Sequence, residues 1–110
     1  MSLIKNFFKQ TRILDGGMGQ ELLNRGVIPH GTIWGATALL HKKYHKLLVK
    51  THLDFIKAGA EVIVTNSFGS RKRRLIENKL GHKFKELNEL AGKLARDAVK
   101  KSKKNILIAG

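Results

Sequence analysis

Residues 12–21 read Arg12-Ile13-Leu14-Asp15-Gly16-Gly17-Met18-Gly19-Gln20-Glu21. Two apolar residues are followed at once by a carboxylate, then by glycines, and then by residues that favour a helix. This order predicts a short buried strand, Ile13-Leu14, which ends at Asp15 and turns through the glycines into a helix. Glycine lets a chain turn sharply and bring bare backbone N–H groups close to a ligand.

A carboxylate beside such N–H groups suits a zwitterion. Asp15 could hold an ammonium group, while the amides of Gly16, Gly17 and Met18 could hold a carboxylate. A bound amino acid carries both groups. The alternative is that Asp15 only caps the helix and the glycines only form the turn, and these residues taken alone favour that alternative.

A nucleotide site is the other ligand site that glycines after a strand can form. Gly17 and Gly19 match part of a dinucleotide fingerprint, but Leu22 occupies the position of its third glycine. The second predicted strand ends in Thr65-Asn66 rather than in an acid for a ribose, and the chain has no Gly-Lys-Ser/Thr phosphate loop. We therefore expect no nucleotide site.

The composition is strongly basic, with 22 Lys and Arg against 8 Asp and Glu in 110 residues, a net charge of +14. This charge raises the alternative of a small basic module that binds nucleic acid or a protein partner. The basic clusters at 71–74 and 100–104 are not interleaved with stacking aromatics, so we expect no specific nucleic-acid binding. No apolar run is long enough for a membrane span and no secretion signal is present, so a cytoplasmic location is expected.

Hydrophobic patterning predicts alternating strands and helices. The predicted strands are 12–14, 61–65 and 105–109. The predicted helical segments are a lead-in at 3–10, then 19–24, 33–40, 44–58, 70–81 and 84–101. In the last helix we expect Glu89 to pair with Lys93, and one apolar face to comprise Phe84, Leu87, Ala91, Leu94, Ala95 and Ala98.

This β-α-β-α-β order predicts an α/β fold with a parallel sheet covered by helices. Polar residues gather where strands end, with Asp15 after the first and Thr65-Asn66-Ser67 after the second. Ligand sites of parallel α/β folds lie at these carboxyl ends. A strand-end cluster of this kind favours a small-molecule site over a module that acts through surface charge.

Four blocks of the chain resemble the homocysteine S-methyltransferase family, in the right order and spacing. They are residues 13–23, residues 33–40, residues 52–68 and residues 106–110. The resemblance implies a zinc-dependent enzyme on a (β/α)8 barrel, which transfers a methyl group to the thiol of L-homocysteine and gives methionine. Donors in the wider family include S-methylmethionine, S-adenosylmethionine, betaine and methyltetrahydrofolate.

The same resemblance implies roles for individual residues. Asp15 would hold the homocysteine ammonium, and the backbone of Gly16, Gly17 and Met18 would approach its carboxylate. Thr65, Asn66 and Phe68 would line the pocket floor after the second strand. Trp34 lies where some relatives place an indole near a cationic donor, although an indole that only anchors a loop is equally consistent with the sequence.

The chain departs from the family in its metal ligands. The family binds zinc through three cysteines of later barrel strands, whereas this chain contains no cysteine. His41, His45 and His52 have a helical spacing that could hold zinc, but we interpret them as solvated surface residues and assign no metal ligand. We expect residues 1–110 to be the first three strands of the barrel, with no second domain and inactive alone. The missing C-terminal part of the barrel is then a candidate partner. In such a portion Leu14, Ile63, Val64 and Ile108 should be partly exposed.

Overall fold

The structure is a computed structural model that describes residues 6–110. From residue 18 onward, its α-helices are α1 (Met18–Asn24), α2 (Thr37–Leu40), α3 (His45–Lys57), α4 (Lys72–Glu77) and α5 (Phe84–Ser102). Short 3₁₀ turns precede most of them, at Trp34–Ala36, Lys42–Tyr44, Phe68–Ser70 and Gly81–Lys83. Part of the lead-in predicted at 3–10 lies outside the described residues. The other predicted helices are confirmed, although the helix predicted at 70–81 is only Lys72–Glu77.

The described strands form a parallel sheet, as the sequence predicts. Strand β1 (Val62–Val64) pairs with β2 (Leu107–Ala109), and Ile63 lies opposite Ile108. The predicted first strand is reduced to a single parallel bridge between Leu14 and Val62. This bridge places Asp15 beside the carboxyl end of β1.

The prediction that Ile13-Leu14 is buried is wrong. Ile13 is 59% exposed and Leu14 is 61% exposed, because no described segment covers either side chain at this edge of the sheet. Val64 is also exposed and Ile108 is half-buried, as expected for a portion of a barrel. Ile63 is fully buried, contrary to expectation, because it packs with Ile56 and Ala95 under helices α3 and α5.

Helices α3 and α5 cover one face of the sheet and enclose most of the core. Five of the six residues predicted on the inner face of α5 are buried, whereas Phe84 at its start is 38% exposed. The expected pair of Glu89 with Lys93 is replaced by two other pairs one turn away. Lys93 lies 3.0 Å from Asp97, and Lys85 lies 3.9 Å from Glu89.

His52 corrects the interpretation of the three histidines as surface residues. His41 is exposed and His45 is half-buried, but His52 on α3 is fully buried, and neither of its ring nitrogens has a hydrogen-bond partner among the described residues. Burial lowers the pKa of His52 to about 4, so the ring is neutral in the folded protein at neutral pH. A neutral imidazole fills this core position much as an apolar side chain would.

We expect the buried His52 to make folding sensitive to acid. The unfolded chain takes up a proton on this ring near pH 6.5, whereas the folded chain does so only near pH 4. The free energy of unfolding should therefore fall as pH drops through this window, by up to about 3 kcal/mol. Urea denaturation at pH 7.5, 6.0 and 4.5 measures the slope, and His52→Leu should flatten it. His82 is exposed, so His82→Leu is the control and should leave the slope unchanged. A slope that is flattened by His82→Leu and not by His52→Leu would contradict this account.

No helix in the part of the chain that the structure describes has both the length and the apolar character needed to cross a membrane.

Candidate functional site

A cavity of about 700 Å³ opens at the carboxyl end of β1. Its wall is built by three segments that are distant in sequence: the residues after the Leu14 bridge, the turn at Trp34–Ala36, and the stretch from the end of β1 to the start of α4. Seven of the eight residues predicted to bind substrate line this cavity, namely Asp15, Gly16, Met18, Trp34, Thr65, Asn66 and Phe68. Gly17, the eighth, does not line it.

Asp15 is held in place by β1. Its backbone N–H donates to the carbonyl of Val62 at 3.0 Å, and its side-chain Oδ2 accepts the N–H of Val64 at 3.0 Å. Asp15 does not cap α1, because the residue at the N-cap is Gly17 and the cap has no side-chain hydrogen bond. Since no described group donates to Oδ1, this oxygen can accept a hydrogen bond from a ligand.

Partial burial raises the pKa of Asp15, and the hydrogen bond from Val64 opposes that rise. Burial has this effect because a carboxylate that has lost part of its hydration is less stable as an anion. A cationic group placed at Oδ1 would restore the lost stabilisation. The position therefore favours a positively charged ligand atom.

The glycines after Asp15 have different surroundings. A Cβ atom on Gly16 would lie 2.9 Å from the ring of Phe55, so that position accepts only glycine without rearrangement. A Cβ on Gly17 would meet nothing closer than 3.9 Å. Gly16 thus lets the backbone pass close to the α3 side chain, and Met18 follows as a buried residue at the start of α1.

The turn at Trp34–Ala36 presents an indole to the cavity. Trp34 has φ +52°, a left-handed conformation that non-glycine residues rarely adopt, and its side chain is 56% exposed. Asn66 stabilises this turn, because its Nδ2 donates to the carbonyl of Gly35 at 2.9 Å. Asn66 is buried, and it both stabilises the turn through its amide nitrogen and lines the cavity.

Thr65 and Phe68 complete the floor beyond β1. The hydroxyl groups of Thr65 and Ser67 lie 2.9 Å apart and share a hydrogen bond. Phe68 is 79% exposed, and the guanidinium of Arg71 lies 4.6 Å from the centre of its ring. An aromatic ring this exposed is available to a ligand on the side that Arg71 does not cover.

The cavity also has lining residues that sequence reasoning did not assign to the site. Those with side chains larger than that of alanine are Thr32, Val64, Arg71 and Arg74. The arginines belong to the basic cluster at 71–74, which we did not assign to the site. Arg71 is the extended N-cap residue of α4 and Arg74 lies within that helix, so their approach to the cavity follows from the fold and not from a helical spacing in the sequence.

The described residues offer no group of three His, Cys, Asp or Glu side chains that could hold a metal ion. The chain also lacks the thiolate ligands that zinc prefers. The residues present therefore do not fit the zinc site that the family resemblance implies.

Comparisons with known proteins identify the family of the chain. The family model described as Homocysteine S-methyltransferase matches residues 12–110. Homocysteine S-methyltransferase 2 of Saccharomyces cerevisiae is 27% identical over an alignment of 94 residues, and the match covers 78% of this chain and 29% of the yeast protein. Homocysteine S-methyltransferase 4 of Zea mays is 39% identical over 56 residues, which are 51% of this chain and 16% of the maize protein.

A solved structure is similar over almost the whole chain. It is the metallated form of the homocysteine methyltransferase MmuM from Escherichia coli, with a TM-score of 0.76 and 28% identity. The similarity covers 99% of this chain and 39% of the bacterial protein, so this chain corresponds to a partial, N-terminal region of the family. The family model and the fold together show that the chain belongs to the homocysteine S-methyltransferase family.

Proposed function

We propose that this chain forms the first three strands of a homocysteine-binding (β/α)8 barrel and supplies its amino-acid subsite. The complete barrel would transfer a methyl group from a donor to the sulfur of L-homocysteine, giving methionine. Because the chain spans 29% and 39% of the relatives described above, the activity is proposed for the complete barrel, and the 110-residue chain alone is expected to be inactive.

The observation that carries this proposal is the free oxygen of Asp15. Oδ2 accepts the N–H of Val64, so Oδ1 is the carboxylate oxygen left for a ligand, and Asp15 lines a cavity large enough for an amino acid. An ammonium group at Oδ1 would form a charge-assisted hydrogen bond in a partly dehydrated setting, where such bonds are strong. The backbone at Gly16 and Met18, which line the cavity, would face the carboxylate of the same ligand.

Holding both ends of homocysteine fixes the direction of its side chain. The sulfur could then attack the methyl carbon of a donor, so that a C–S bond forms while the bond from the methyl group to the donor breaks and the thiol proton is lost. Positioning the two reactants in line lowers the entropic part of the barrier. The cavity wall beside the two aligned substrates would be formed by Trp34, Thr65, Asn66 and Phe68. Zinc is expected for the family, but no step is assigned to it here because the donor set of this chain does not fit it.

The proposal is tested by measuring methionine formation from L-homocysteine and each of the four donor types. The complete barrel that contains this chain and the 110-residue chain are assayed side by side, with zinc supplied to both. We expect donor-dependent methionine from the complete barrel and none from the short chain. Failure of the complete barrel with every donor would contradict the proposed activity, and methionine formed by the short chain would contradict its expected inactivity.

A further inference from the structure

The cavity carries positive charge that the homocysteine subsite does not use. Arg71 and Arg74 both line it, and within residues 6–110 neither guanidinium has a carboxylate oxygen inside 4.0 Å. Their neighbour Arg73 differs, because it lies 3.5 Å from Glu77, is 94% exposed and does not line the cavity. Two unneutralised guanidinium groups therefore face the same space as the single carboxylate of Asp15.

The two arginines are held by contacts that leave donors free. The guanidinium of Arg71 lies 4.6 Å from the centre of the Phe68 ring, an arrangement that stabilises the cation and leaves the edges of its plane open. Arg74 donates one Nη1–H to the carbonyl of Thr32 at 2.8 Å. Thr32 is fixed in turn by Asn78, which accepts from its N–H at 3.0 Å and donates to its Oγ1 at 2.8 Å.

We propose that Arg71 and Arg74 bind a carboxylate of the methyl donor and so select donors that carry one. The inference rests on the proposed function, since it concerns the second substrate of the same cavity. Arginine is suited to this task because its planar group donates two parallel hydrogen bonds to a carboxylate. The Trp34 indole, which is 56% exposed in the same cavity, would face a cationic methyl-bearing centre of such a donor.

Placing the donor carboxylate at the arginines gives the two substrates different anchors in one cavity. The ammonium of homocysteine would bind at Asp15 and its carboxylate at the adjacent backbone, which leaves Arg71 and Arg74 for the carboxylate of the donor. The homocysteine sulfur and the donor methyl group would then meet between these anchors.

Paired probes that differ in the carboxylate test the inference. Glycine betaine is compared with choline, and S-methyl-L-methionine with its carboxyl methyl ester, by calorimetric titration of the complete barrel in the presence of L-homocysteine. In at least one pair the carboxylate compound should bind about tenfold to a hundredfold more tightly. Arg71→Gln and Arg74→Gln should remove this preference, while the control Arg73→Gln should keep it.

The homocysteine affinity of each variant separates the possible failures. Arg71→Gln and Arg74→Gln should leave it within about twofold of the unmodified protein, which also shows that the variants are folded. If a variant with a native circular dichroism spectrum no longer binds homocysteine, the arginines bind homocysteine rather than the donor, and the inference is wrong. Equal binding within both probe pairs would overturn it too. Absence of homocysteine binding in the unmodified complete barrel would instead refute the proposed function.

Discussion

Gly35→Ala is expected to destabilise the fold by about 1–3 kcal/mol, because the new Cβ has no room. An ideal Cβ at this position would lie 2.6 Å from the Cα of Gly19 on α1, and backbone cannot move aside as a flexible side chain can. The carbonyl of Gly35 also accepts the hydrogen bond of Asn66, so a shift of the turn would strain that contact. Thermal denaturation followed by circular dichroism should show a fall of about 5–20 °C in the melting temperature.

The matched control for this substitution is Gly92→Ala in the middle of α5. A Cβ on Gly92 would approach only the guanidinium end of Arg96, at 3.2 Å, and this flexible group can move. Alanine favours a helix interior over glycine by about 1 kcal/mol, so the control should be neutral or stabilising. Equal melting temperatures for Gly35→Ala and the unmodified protein would show that α1 and the turn do not pack as closely as the structure places them.

The sequence predicted the features of the fold that depend on local patterning. The helical spacing of Leu87, Ala91, Leu94 and Ala98 identified the buried face of α5, and each of these residues is buried. The short β-branched run at Val62–Val64 identified β1, and the alternation of strands with helices predicted parallel pairing. These signals are read within one element, so they need no knowledge of the elements packed against it.

The errors concern properties that depend on neighbours. Ile13 and Leu14 have the sequence of a buried strand, but burial also requires a segment on the far side, and no described residue supplies one. We interpreted His52 as a surface residue because its helix is rich in lysine, although its spacing from Leu48 and Ile56 favours the same face as those apolar residues. The structure shows that the spacing was the better guide, since a neutral imidazole can occupy a core position.

In the candidate site too, features that are local in sequence were predicted, whereas contacts between distant segments were not. The sequence predicted that Asp15 and Thr65 follow strands, and parallel pairing brings strand ends to one edge. It did not predict that Val64 fixes one carboxylate oxygen of Asp15, or that Asn66 bonds to Gly35, because each contact joins segments more than 30 residues apart. Arg71 and Arg74 were missed for a related reason, since a charged cluster is usually solvated and only the folded chain shows a cavity beside it.

Asp15→Asn should raise the KM of the complete barrel for L-homocysteine by about tenfold to a hundredfold. Asparagine keeps the shape of the side chain and can still accept the N–H of Val64, so the change removes the negative charge with little else. Losing a hydrogen bond between charged groups costs about 1.5–3 kcal/mol. Stability should not fall, because burial already disfavours the charged form of Asp15 and a neutral amide avoids that cost. Steady-state kinetics with homocysteine varied at saturating donor measures the effect.

Asp54→Asn is the matched control, because it removes the same charge from a carboxylate outside the cavity. Asp54 lies 2.8 Å from both Arg25 and Lys50, and these partners lower its pKa, so its charge contributes to stability above pH 4. The control should therefore reduce the melting temperature slightly and leave the KM for homocysteine unchanged. Asp15→Asn should instead raise the KM for homocysteine without lowering the melting temperature, since the charge of Asp15 binds the ligand and does not stabilise the fold. If the KM of Asp15→Asn stays within twofold of the unmodified enzyme while its circular dichroism spectrum is native, Asp15 does not bind the homocysteine ammonium.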